Sequence, residues 1–192
     1  MSEDPLATML TRSLGATVSD ARSEVVRKGD TVELERVRFT AEGVERSLVF
    51  VRFPKERALE VHLLPFLARK TDRVPRVYAR GIPPPMVPAW PWVLLEDLVA
   101  APDACDDIAG IAAVKRDIER AVSGDLPALR ALGVPGTGRT LMHGDLRCVN
   151  AKRSDRGIVI AAWSHAHLGD GEEDVLAPRM DEPSRPDGRG ES

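Results

Sequence analysis

The chain has 192 residues, enough for one good core or two small lobes, and a net charge of −3 with a pI near 5.9. That balance supplies no global basic field, which argues against nucleic acid or acidic membrane surfaces as partners. The apolar fraction of 43% is ordinary for a globular protein, and no apolar run approaches the ~20 residues of a membrane span. The start, Met1-Ser-Glu-Asp-Pro5, is acidic and lacks an apolar core, so no signal peptide is expected. Cys105 and Cys148 make no secreted disulfide framework, and the cytoplasm is the expected compartment.

Residues 5–14 place Leu6, Met9, Leu10 and Leu14 at helical spacing. Two runs with strand character follow, 24–29 and 31–39, broken at Gly29-Asp30; Val32, Leu34, Val37 and Phe39 largely alternate with charges. Ala41-Glu-Gly-Val is a turn, and Ser47-Leu-Val-Phe-Val-Arg-Phe53 is a third, more buried strand, so the order predicts an antiparallel meander. Residues 55–69 carry helical spacing at Leu59, His62, Leu63, Phe66 and Leu67, with Pro65 expected to kink or interrupt the helix. Residues 74–81 and 92–98 are further strands on either side of a proline-rich loop at 82–91. A helix is expected to open at Ala101-Pro-Asp-Ala-Cys-Asp, with Ile108, Ile111, Ala112, Ile118 and Val122 on one face and Gly124 as its stop. A short helix at 126–132 and a hairpin of 149–152 with 157–162 complete the ordered part. The polar, Pro- and Gly-rich tail from Pro178 predicts disorder.

The chemistry concentrates in Leu141-Met-His-Gly-Asp-Leu-Arg-Cys-Val-Asn150. Phosphoryl transfer needs a carboxylate to orient the attacking hydroxyl and take its proton, and an amide oxygen to help hold Mg²⁺ against the phosphates. The spacing H-x-D-x-x-x-x-N supplies both. Asp145 would be the base, Asn150 the metal ligand and His143 the residue that fixes the loop.

Together with Leu94-Leu-Glu-Asp-Leu98 and Trp163…His167-Leu-Gly-Asp170, in this order along residues 20–176, the chain resembles the aminoglycoside phosphotransferase/choline kinase family. The resemblance implies an α+β, protein-kinase-like fold of two lobes. An antiparallel-sheet N-lobe with one helix would span 1–95, a reduced helical C-lobe 96–177, and the tail 178–192. It implies ATP (or GTP) and Mg²⁺ in the cleft, with Arg52 against the α/β-phosphates, Glu60 paired with Arg52, and the hinge at Leu95, Glu96 and Leu98 along the adenine edge. The acceptor would be a small molecule or a peptide.

Three departures limit that expectation. The family's second metal ligand, an aspartate in an Ile-Asp-Trp segment, falls on Ala162 within Ile160-Ala-Ala-Trp163, and a methyl group cannot bind Mg²⁺. Metal binding is therefore expected to be weak, and transfer slow or absent unless another carboxylate moves in; Asp170 and Asp174 are nearest in sequence. Only about forty-five residues separate hinge and HGD loop, where the family has nearly twice that. The nucleotide loop Arg27-Lys-Gly29-Asp30 has a single glycine. So short a lobe is expected to leave apolar faces of 107–132 poorly covered, pointing to a homodimer or protein partner. A pseudokinase-like binding module is the alternative function. Ser164-His165-Ala-His167 is a structural pair rather than a metal site, and Cys148 a small buried filler.

Overall fold

The computed structural model describes residues 5–28, 32–55, 58–83 and 89–170. Gly29-Asp30, part of the proline-rich loop, Glu172-Glu173, Asp174 and the tail lie outside the described residues. Strands β1 (Val18–Lys28), β2 (Glu33–Ala41) and β3 (Val44–Arg52) form the expected meander. With β4 (Val77–Gly81) and β5 (Trp92–Glu96) they make an antiparallel sheet of order β1-β2-β3-β5-β4.

Alternation along β3 sorts its side chains. Leu48 and Phe50 pack with Phe39, Leu94 and Leu10 of helix α1 (Pro5–Leu14) on one face, while Val49, Val51 and Phe53 cluster with Val61 and Val93 on the other. The irregular spacing of β2 has the same cause. Leu34 joins the second face, and Val37 and Phe39 the first.

Helix α2 (Leu59–Leu67) runs through Pro65 without interruption. Proline removes the N–H that would bond the carbonyl four residues earlier. That carbonyl belongs to Val61, and the Arg80 guanidinium donates to it at 3.2 Å. The helix keeps its proline because a side chain from β4 replaces the lost donor.

The third expected helix begins later than its sequence predicts. Helix α3 is Ile108–Val122, capped by Asp107, whose carboxylate accepts from the Gly110 N–H at 2.7 Å. Residues 101–106 instead run beside strand β7 (Ala151–Ser154), with Ala104 N–H donating to the Ala151 carbonyl at 2.9 Å and Arg153 N–H to Pro102 at 2.8 Å. This brings Cys105 to Cys148, Cα–Cα 4.7 Å, and the two are joined in a disulfide. The filler reading of Cys148 is thereby corrected. A pairing across 43 residues depends on a loop path that spacing does not encode.

Helix α4 (Leu126–Ala131), the hairpin of β7 with β8 (Gly157–Ile160), and a pair formed by β6 (Thr140–Met142) and β9 (His167–Gly169) complete the lower half. The last two strands have three residues each, too few for an alternation to show. The expectation of bare apolar faces over 107–132 is overturned. Ile111, Ile118 and Leu129 are fully buried, and Val114 and Val122 nearly so, in one cluster with Leu63, Leu64 and Leu67 of α2 and Ile158 and Ile160 of β8. Ile108 alone of the expected face is exposed, at 43%. The small lobe is covered by α2 and the hairpin, and the argument for a homodimer or protein partner from that surface falls with it. Among the described residues no helix is long and apolar enough to cross a membrane.

Candidate active site

A cleft of about 860 Å³ lies between the sheet and the lower half, bordered by Val49, Val51 and Phe53 above and by Asp145, Asn150 and Ala162 below. Its floor is built from His143 outward. His143 is fully buried against the Trp163 ring, centroids 4.7 Å apart. Its Nε2 lies 2.7 Å from the Ala161 carbonyl, which can only accept, so Nε2 carries the proton. Nδ1 is then the acceptor for the Asp145 N–H at 3.3 Å. His143 touches no substrate from there; it positions the loop.

Asp145 opens on the cleft, with Oδ2 accepting from Arg147 Nη2 at 2.9 Å. Asn150 Nδ2 donates to the Asp145 carbonyl at 2.8 Å, which leaves its Oδ1 as the free end. The sequence-predicted base and amide are thus brought together on one wall. Gly144 enables the turn between His143 and Asp145: its φ is +81°, and a Cβ there would lie 2.1 Å from the His165 carbonyl oxygen.

Ala162 lines the cleft in a left-handed conformation, φ 63° and ψ 58°. Alanine resists this region by roughly 1–2 kcal/mol, and Asn or Asp adopt it more readily. Both neighbours hold it there. Ala161 N–H donates to the Asn150 carbonyl at 2.8 Å and its own carbonyl accepts from His143, while Trp163 N–H donates to Glu60 Oε1 at 2.5 Å. The surroundings over-determine the strained residue.

Glu60 therefore does not pair with Arg52. It is 6% exposed, bonded to the main chain of Trp163 and bordering the cleft. Burial pushes its carboxyl up to about 7, and the Trp163 N–H opposes that rise. Arg52 is a correction in the same sense. Its guanidinium contacts Glu35 at 2.5 Å and Glu33 at 3.3 Å and lies over the Phe50 ring, 4.7 Å from the centroid. Strand parity is the reason. Residues 49, 51 and 53 face the cleft, so residue 52 faces away.

The cations that do border the cleft are Arg27, Arg147 and Lys152. Arg27 reaches the cleft because it pairs in register with Leu34 on the cleft face, after an irregularity between Val25 and Arg27 that sequence spacing does not show. Lys152 also bonds Asp103, whereas Arg27 makes no ion pair among the described residues. Of the expected hinge, Leu95, Glu96 and Leu98 all line the cleft. The Glu96 carboxylate is occupied by Arg156 and by the Arg76 N–H, and its own N–H donates to the Arg76 carbonyl at 2.9 Å. The Leu98 N–H makes no hydrogen bond among the described residues.

Toward Mg²⁺ this wall offers the Asp145 carboxylate and one neutral oxygen from Asn150, with a methyl at Ala162 where a second carboxylate would stand. His167 Nδ1 lies 3.2 Å from the His165 carbonyl.

A five-stranded sheet with one helix beneath it, joined by a short strand end to a helical lobe bearing an HGD loop, has its counterpart among solved structures. The chain is similar to a thermostable mutant of the aminoglycoside phosphotransferase APH(4)-Ia in its apo form, at 12% identity over 85% of this chain and 73% of that one, TM-score 0.50. The fold is protein-kinase-like. The same phosphotransferase in ternary complex with AMP-PNP and hygromycin B matches at 13% identity, 85% and 72% coverage and TM-score 0.49. Rad53 1-466 in complex with AMP-PNP matches at 16% identity, 75% and 38% coverage and TM-score 0.41. At these identities the likeness concerns the fold alone. No family model matches the chain, and no characterised protein matches it in sequence.

Proposed function

We propose that the chain is a kinase-like phosphotransferase, related to the aminoglycoside phosphotransferases. It would transfer the γ-phosphoryl group of ATP or GTP to a hydroxyl or amino group of a small molecule or peptide, at a rate lowered by the missing carboxylate at Ala162. One observation carries the reading: Asp145 opens on an interlobe cleft from a loop locked by His143 and Asn150.

In this reading the nucleotide supplies the phosphoryl group, and the chain supplies position and proton handling. The Leu98 N–H and the apolar walls at Val49, Val51 and Leu95 receive the base. Arg27 and Lys152, which border the cleft, would be the cations beside the phosphates. Asp145 orients the acceptor and takes its proton, while Arg147 fixes the carboxylate through Oδ2. No step is routed through Mg²⁺, whose donor set is incomplete. Cytoplasmic action is part of the proposal.

Ala162 favours a second reading, a pseudokinase-like module that binds nucleotide without turnover and acts by docking on a partner. Thermal unfolding with ATP, with and without Mg²⁺, together with phosphotransfer assays of Ala162→Asp, separates the two. Both readings require stabilisation by ATP that Mg²⁺ enhances little in the natural chain. The first further requires that Ala162→Asp gain Mg²⁺-dependent turnover. Metal-dependent binding without turnover leaves the second, and no nucleotide effect in either protein overturns both.

A further inference from the structure

The disulfide lies inside the loop that carries the cleft chemistry. Cys148 falls between Asp145 and Asn150 and opens the short turn Cys148–Asn150, in which the Asn150 carbonyl accepts from Ala161 and the Asn150 side chain donates to Asp145. Its partner, Cys105, is exposed on the segment leading into α3. We propose that Cys105–Cys148 is a reversible thiol–disulfide site that sets the order of the Asp145–Asn150 loop, rigid when oxidised and loosened by dithiols.

Other ties place the effect locally. The segment 102–106 is also fastened to β7 by the Ala104–Ala151 and Arg153–Pro102 main-chain bonds and by the Lys152–Asp103 and Arg153–Asp106 ion pairs. All four reach residues 151–153, on the far side of Asn150. Among the described residues, the tie from this segment that reaches residue 148 is the disulfide. Opening it leaves those four ties in place and removes the covalent anchor of the stretch between Leu146, which is buried, and Ala151; that stretch then depends on the Asn150 hydrogen bonds to Asp145 and Ala161 and on the packing of Cys148.

The chemistry balances with a dithiol as reductant. Its thiolate attacks the accessible Sγ of Cys105, the S–S bond breaks, and the Cys148 sulfur leaves as thiolate and takes a proton. The second thiol of the reductant resolves the mixed disulfide. Two electrons and two protons pass to the protein, and the reductant becomes a cyclic disulfide.

The test is amide hydrogen exchange on the full chain before and after treatment with dithiothreitol, with alkylation counting the free thiols. Oxidised protein should show no alkylatable cysteine and reduced protein two. Exchange over 146–150 should accelerate about tenfold or more on reduction, while β3 and α3 stay unchanged, and reoxidation should restore protection. Cys105→Ser should reproduce the reduced pattern without reductant. Unchanged exchange at 146–150 in both reduced protein and Cys105→Ser would overturn the proposal, and so would global unfolding in both, since the bond would then be a staple and not a local control. None of these readouts involves nucleotide, so the result stands apart from the phosphotransferase reading.

Discussion

The main-chain N–H of Trp163 donates to Glu60 Oε1 at 2.5 Å, joining residues 103 apart in sequence. Through it helix α2 holds the segment containing Ala162, and a carboxyl with no cationic partner among the described residues borders the cleft.

That placement makes stability depend on pH. Burial raises the Glu60 carboxyl from 4.5 to about 7, so between those values the folded chain holds a proton that the unfolded chain releases. The contribution is fully present below the unfolded value and is lost as pH rises through about 7. We expect unfolding free energy to fall by up to about 3 kcal/mol from pH 5 to 8 on account of this group. Glu60→Gln, which keeps an oxygen for the Trp163 N–H, should remove that part of the slope. Urea midpoints across the pH range decide it, and equal slopes would refute the assignment.

Ala162 offers a separable test. Glycine carries no penalty at φ 63°, so Ala162→Gly should stabilise the chain by about 0.5–1 kcal/mol after its larger unfolded-state entropy is counted. Most glycine substitutions for alanine do the reverse. Loss of stability in calorimetry would show that the left-handed turn is not held.

Gly144 should behave oppositely. Alanine there meets both a positive φ and the His165 carbonyl, so Gly144→Ala should destabilise by about 2 kcal/mol or more. It should also disorder the loop ahead of Asp145. A neutral result in denaturant titration would mean that the His143–Asp145 turn can be made another way.

The cleft cations can be ranked by exchanging them for alanine. Arg52 faces Glu33 and Glu35 on the far side of β3, so Arg52→Ala should leave nucleotide affinity within about twofold and alter stability by about 1 kcal/mol or less. Arg27→Ala should weaken binding several-fold, in keeping with one lost charge-assisted contact. Isothermal titration with ATP tests both, and the reverse order would restore Arg52 as the phosphate residue.

Sequence alone was enough for the meander, the helix at 5–14, the hinge strand and the spacing that sets Asp145 and Asn150 on one loop, because each follows from local periodicity or a short covalent interval. It also showed that a methyl stands at residue 162. Tertiary structure decided the rest. Strand parity turned Arg52 away and Arg27 inward, and a chain reversal beyond residue 100 brought Cys105 to Cys148. Packing of α2 across both halves buried Glu60 and covered α3. These outcomes depend on which surfaces meet after the elements form, and contacts between residues tens of positions apart leave no mark in local spacing.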